Sequence, residues 1–132
     1  MFRHDIRVRY GECDMQQVVF NAQYLAYCDD AVMCWFVARL GARMNEFDCM
    51  LKTVAITWHR PLRVAEVVSI DCEVTRWGNS SFDVAALGSV AGVPSFDASI
   101  VYVSTTPGAP TVTPVPEWVK EAMAVDLRSA SR

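Results

Sequence analysis

The sequence predicts an α+β domain in which one long apolar helix is covered by a five-stranded antiparallel sheet. Three observations predict it. The run from Asn21 to Gly41 repeats apolar residues at helical spacing over a face too wide for an ordinary surface helix. Residues 67–104 hold three alternating segments joined by short turns, the pattern of an antiparallel meander. Finally, a helix so apolar cannot face water, and a sheet built by the later strands is its simplest partner. A chain of 132 residues is expected to form one domain, spanning 1–132.

The first element is IRVRYGECD, where Ile6, Val8 and Tyr10 alternate with Arg7 and Arg9 until Gly11 ends the strand. The helix follows, with Tyr24, Cys28, Ala31 and Trp35 on one face and Leu25, Val32 and Phe36 beside them. Only a narrow polar stripe near Asp29 and Asp30 remains. Asn21 is a favoured N-cap residue, and Gly41 sits where a helix commonly stops on a left-handed residue. MLKTVAITWHRPL reads as a strand halted near Pro61. VVSIDCEVTRWG alternates without a break, placing Val68, Ile70, Cys72 and Val74 on one side. The turn WGNSS leads into SFDVAALG, and after the loop AGVPS the segment FDASIVYVS places Phe96, Ala98, Ile100 and Tyr102 on a common face. In the tail, Pro116 at the first helical position and Glu117 in the first turn predict a short final helix. Val101 and Val103 make the second face of the last strand apolar as well, from which at least a dimer is expected.

Composition narrows the function. The chain is 52% hydrophobic and carries a net charge of -3 without a run of lysine or arginine, so neither a nucleic acid nor an anionic membrane is an expected partner. No stretch approaches the length of a membrane span, and with charges at positions 3, 5, 7 and 9 no secretory signal is expected. Five cysteines without a CxxC pair are expected to be reduced, which suits a cytoplasmic protein. His4 and His59 lack a metal-ligand spacing and read as surface or core-edge residues, so no metal is expected.

The stretch RYGECDMQQVVFNAQYLAYCDDA, followed by ITWHRPLR, WGNSSF, SIVYV and TPVPEWV, resembles the hotdog-fold acyl-CoA thioesterases of the 4-hydroxybenzoyl-CoA thioesterase type. The most specific part is D-x(4)-V-[FY]-[NH]-x-x-Y, matched by Asp14, Val19, Phe20, Asn21 and Tyr24. A looser G-x-S-S element is matched by Gly78, Ser80 and Ser81. The resemblance implies a long helix wrapped by an antiparallel sheet, which agrees with the residue-level reading. It implies hydrolysis of an acyl or aroyl thioester to free acid and coenzyme A. The only coenzyme expected is the coenzyme A of the substrate itself, and a homo-oligomer is implied, a dimer at least and by expectation a tetramer. The chain departs from the family pattern in two places. Gln17 stands where many relatives have glycine, and Ala65-Glu66 stands where many have Gly-Asp.

Thioester hydrolysis needs an attacking oxygen and a donor for the negative charge that builds on the carbonyl oxygen. Asp14 is the candidate for the first, either attacking directly or activating water. For the second, the N-terminus of a helix offers N–H groups without intrahelical partners, and the resemblance places the oxyanion donor at the backbone of Asn21 or beside it. Phe20 and Tyr24 are expected to line the acyl pocket, and Ser80 or Ser81 to approach the thioester across a subunit interface. Arg60, with Arg63 and Arg76 as further candidates, is expected to meet the phosphates of coenzyme A. Each has a plainer reading: Asp14 as a turn residue, Asn21 as a cap, Tyr24 as core, the serines as turn residues and the arginines as exposed strand ends. Cys13 reads as a small structural residue, and Glu12 and Asp30 as solvated or paired groups. Two further readings remain: a thioesterase acting on acyl groups tethered to a carrier protein, and a non-catalytic acyl-CoA or lipid-binding module.

Overall fold

A computed structural model describes residues 1–130, with side chains described as far as Ala124. Its elements run β1 (Phe2–Arg7), α1 (Gln23–Leu40), β2 (Asp48–Trp58), β3 (Val67–Trp77), β4 (Ser81–Val90), β5 (Val93–Thr105) and α2 (Glu117–Ala130). The strands form one antiparallel sheet in the order β1-β3-β4-β5-β2. This is the α+β arrangement expected from the sequence, with α1 on the apolar face of a five-stranded sheet.

The alternating residues explain which face is covered. Val68, Ile70 and Cys72 of β3, Phe82, Val84 and Ala86 of β4, and Phe96, Ala98, Ile100 and Tyr102 of β5 are all buried. Against them α1 buries Tyr24, Tyr27, Cys28, Ala31, Val32, Trp35, Phe36 and Leu40. One close fit depends on a glycine. Gly88 pairs with Phe96 across β4 and β5, and a Cβ on Gly88 would overlap the Phe96 ring. The helix stops at Gly41, whose positive φ of 54° suits glycine, although its ψ of -126° lies outside the left-handed helical well expected there. At the other side Val115, Val119 and Met123 enter the core, and the Arg43 guanidinium lies 3.9 Å over the Trp118 ring.

Four local expectations are corrected. The first strand begins at Phe2 and ends at Arg7, because Val8 leaves β3 and exchanges backbone hydrogen bonds with the β2–β3 loop, its N–H donating to Glu66 O and its carbonyl accepting from Ala65. Tyr10 is accordingly exposed, in a 3₁₀ turn over Tyr10–Glu12. Leu25 is exposed, as are Met33 and Val37 farther along the helix, so the solvent side of α1 is more apolar than a narrow acidic stripe. The β4–β5 connection is only Ala91-Gly92, both with positive φ, so the strand begins at Val93 rather than Phe96. Finally, α2 is 14 residues long, and Pro116 precedes it, its carbonyl accepting from Val119 and Lys120.

Candidate active site

Asp14 stands at the head of a narrow loop. Cys13 and Val19 form an isolated antiparallel bridge, Asp14 N–H donates to Val18 O, and Gln17 N–H donates to Asp14 O. The loop closes with Gln17 at φ 64°, a left-handed conformation that glycine adopts freely and glutamine does not. The second departure from the family pattern does the same, with Ala65 at φ 68°. Both substitutions therefore sit where a side chain is strained, at a cost of about 1–2 kcal/mol each.

The Asp14 side chain is exposed, and its Oδ1 accepts the Gln16 N–H at 2.8 Å. That contact is the turn role that aspartate commonly plays. Among the described residues nothing donates to Oδ2, so one carboxylate oxygen is available for chemistry. Asp14 lines a cavity of about 670 Å³ with Tyr10, Gly11, Cys13, Met15, Gln17 and Val64.

The entry to α1 corrects the capping expectation. The helix begins at Gln23 with Ala22, in helical conformation, at the N-cap, and no side chain caps it. Asn21 is not needed as a cap because Gln23, Tyr24 and Leu25 donate instead to the carbonyls of Phe20, Asn21 and Ala22, closing a tight turn ahead of the helix. Phe20 N–H is held by Glu12 O. The two N–H groups left without an acceptor among the described residues are those of Asn21 and Ala22. Two backbone N–H groups therefore stand without an acceptor, among the described residues, where the resemblance implies an oxyanion donor.

Tyr24 is 1% exposed, and its hydroxyl accepts the Leu62 N–H at 3.1 Å. Burial pushes its phenol pKa up, so it serves as a fixed neutral strut between α1 and the β2–β3 loop. Tyr24, Asn21, Trp58 and Arg60 share a smaller cavity of about 220 Å³. No acid pairs with the Arg60 guanidinium among the described residues. Phe20 is 58% exposed and lines none of these cavities within one chain.

Ser80 and Ser81 lie elsewhere. Ser81 opens β4 and pairs with Val103, which pairs in turn with Met50, so this row crosses the sheet at the start of β2. The Trp58–Phe96–Gly88 row, near Tyr24 and Arg60, crosses it at the other end. Ser81 Oγ accepts from Arg76, whose guanidinium also binds both oxygens of Asp83, at 3.1 and 3.0 Å. Arg76 is thereby committed within the β3–β4 fork and is a poorer phosphate ligand than Arg60. One chain brings Asn21, Tyr24 and Arg60 to one cavity, Asp14 to another, and leaves both serines at the far end of the sheet.

Glu12, which the sequence marks only as solvated or paired, proves central. It is 9% exposed, binds the Arg9 N–H at 2.8 Å and the Arg9 guanidinium at 2.9 Å, and accepts the Tyr27 hydroxyl at 2.8 Å. Burial pushes its pKa up, but these donors outweigh burial and hold it below the ordinary glutamate range. The signal available in the sequence is its i,i+3 spacing from Arg9 just ahead of the loop.

The family model for the thioesterase superfamily matches residues 16–89, more than half of the chain. The chain belongs to the thioesterase superfamily. It is a thioester hydrolase by that membership. The matched segment takes in Phe20, Asn21, Tyr24, Arg60, Ser80 and Ser81 and begins just past Asp14. Solved structures share the hotdog fold. A 1,4-dihydroxy-2-naphthoyl-CoA thioesterase from Synechocystis superposes with a TM-score of 0.80 at 18% identity, covering 93% of this chain and 95% of that one. The gentisyl-coenzyme A thioesterase BH1999 gives 0.84 at 19%, covering 93% and 100%. A thioesterase from Thermus thermophilus, complexed with coenzyme A and Zn, gives 0.81 at 22%, covering 93% and 91%. No curated protein sequence matches the chain.

Proposed function

We propose that the chain hydrolyses acyl-CoA thioesters in a homo-oligomer whose unit is a dimer, with Asp14 supplying or activating the attacking oxygen. The observation that carries this reading is the pair of backbone N–H groups at Asn21 and Ala22, unpartnered among the described residues, next to a loop that holds Asp14 with one free carboxylate oxygen. Backbone donors at a helix entry stabilise a developing oxyanion without moving, and the positive end of α1 reinforces them. The coenzyme A thioesters named for the Synechocystis enzyme and for BH1999 support coenzyme A as the thiol half of the substrate. Arg60, exposed near Asn21 and unpaired among the described residues, is the residue we assign to its phosphates.

An unfinished edge supports the dimer. β2 ends the sheet, is 11 residues long, and exposes Met50, Leu51, Thr53 and Ala55. An edge of that length templates pairing with another strand. Antiparallel pairing of β2 with a second copy of itself sets the Trp58 end of one chain beside the Asp48 end of the other. The Met50–Val103–Ser81 row of the second copy then approaches the Asn21 end of the first, and Phe20, exposed in one chain, gains a surface to pack on.

The test is thiol release from a panel of aromatic and aliphatic acyl-CoAs by the native chain and by Asp14→Asn. We expect the variant to keep the fold and lose at least about 100-fold in kcat, the scale of a removed general base. An undiminished rate would remove Asp14 from the chemistry. Binding of acyl-CoA without release by the native chain would favour the non-catalytic module.

A further inference from the structure

Away from the Asp14 loop, three different metal-binding side chains converge on the surface between β1 and α1. His4 Nε2 lies 2.9 Å from Asp30 Oδ2, and Cys34 Sγ lies 4.0 Å from Asp30 Oδ1. All three ligand atoms fall within 4.8 Å of one another. We propose that His4, Asp30 and Cys34 form a binding site for Zn²⁺ or a metal of similar softness.

The placement is specific. Asp30 and Cys34 are i,i+4 neighbours on one face of α1, so the helix holds their side chains together without help. His4 sits between Phe2 and Ile6 on the helix-facing side of β1, where the two flanking positions are apolar and packed on the core. The Phe2 ring stacks on Trp35 at 6.3 Å, which fixes β1 against the helix one residue pair from His4. Tetrahedral zinc with bonds of about 2.0–2.3 Å holds its ligand atoms about 3.3–3.7 Å apart. The present separations bracket that range, so small side-chain rotations complete the geometry.

The donor set also selects the metal. Imidazole with thiolate suits Zn²⁺, whereas Mg²⁺ and Ca²⁺ need oxygen ligands. One carboxylate and one thiolate neutralise a divalent charge, which reduces the cost of holding the ion at a half-buried site. Three protein ligands leave a fourth position, and a cavity of about 540 Å³, lined by His4, Asp30, Arg9, Glu12 and Tyr27, gives room for water or another ligand there. The sequence conceals this cluster because its histidine comes from a different element than its other two ligands.

The test is titration of the tag-free, full-length chain with Co²⁺ as a spectroscopic probe of a zinc site. We expect a thiolate-to-cobalt charge-transfer band that saturates at one ion per chain and is displaced by Zn²⁺. Cys34→Ser should abolish the band, and His4→Ala should weaken binding by at least about tenfold, since even outer-shell partners contribute that much. A chain with no band, or a band that survives Cys34→Ser, overturns the site. In the unaltered chain, Zn²⁺ should also slow alkylation of Cys34 and a chelator should restore it. Unchanged alkylation would overturn the proposal even if a variant failed to fold.

Discussion

Tyr27→Phe isolates the support beneath the Asp14 loop. Tyr27 is 2% exposed, and its hydroxyl donates to Glu12 Oε1 at 2.8 Å, so the substitution removes one buried hydrogen bond and little volume. A hydrogen bond to an ionised group contributes about 1.5–3 kcal/mol. Glu12 Oε1 retains the Arg9 N–H after the change, which places the expected loss near the lower end, about 1.5 kcal/mol. For a domain of this size that lowers Tm by roughly 5 °C. The pH dependence carries a sign. Because Glu12 is held below its ordinary pKa in the fold, its contribution is present above the ordinary glutamate value and is lost as pH falls through the lowered one. Burial first, then the hydrogen bond and charge of Glu12, raise the Tyr27 phenol, so it stays a donor throughout. Denaturant unfolding of both proteins at pH 7 and at successively lower pH should therefore show a gap that narrows once Glu12 protonates. A gap below about 0.5 kcal/mol at pH 7, the scale of an ordinary surface substitution, or one that does not narrow, would refute the argument.

Other changes probe the strain, the packing and the edge. Gln17→Gly should relieve a left-handed residue and, after the added freedom of the unfolded chain is subtracted, stabilise by up to about 1 kcal/mol; Ala65→Gly should do the same, and a loss in either by chemical denaturation would count against the strain. Gly88→Ala should destabilise by about 1–3 kcal/mol because the new methyl meets the Phe96 ring in a packed sheet, and an unchanged Tm would show that the ring moves freely. Thr53→Asp with Ala55→Asp puts like charges along the free side of β2, and light scattering should report a smaller assembly; an unchanged mass would exclude pairing at that edge.

The elements legible in the sequence are those whose pattern and packing agree. Val68, Ile70, Cys72 and Val74 alternate because one face of β3 enters the core, where both α1 and α2 pack on it, and the width of the apolar face on α1 required a sheet to cover it. Tyr10 shows where the pattern misleads. The alternation runs on through Val8 and Tyr10, but a loop carrying Ala65 captures Val8, and the Arg9 N–H turns to Glu12. Asn21 has the right residue type for a cap, yet the carbonyls of Phe20 and Asn21 reach the first helical N–H groups before any side chain is needed. The site is less legible because its parts are set by tertiary placement. Asp14 could be chosen from its motif, whereas Glu12 and Tyr27 meet across 15 residues, and the serines lie at the far end of the same sheet.

The common reference for these contacts is α1. Its first two turns carry Tyr24, which fixes the β2–β3 loop through Leu62, and Tyr27, which fixes Glu12 and through it the Asp14 loop. Asp30, on the next turn, receives His4 and so ties the helix to β1. Three polar contacts from the opening turns of one helix therefore hold the three segments that surround its N-terminus, while the apolar side of the same helix is locked into the core by Cys28, Ala31 and Trp35. Such a helix cannot shift without breaking packing, so the N–H groups at Asn21 and Ala22 are fixed in direction before any substrate arrives. Under the mechanism we propose, that preorganisation is what would make these donors effective, because the reaction would not have to reorient them. It also explains how the loop tolerates Gln17. The strain at one residue is small against an entry held at Glu12, Val18, Val19 and Phe20 by separate hydrogen bonds.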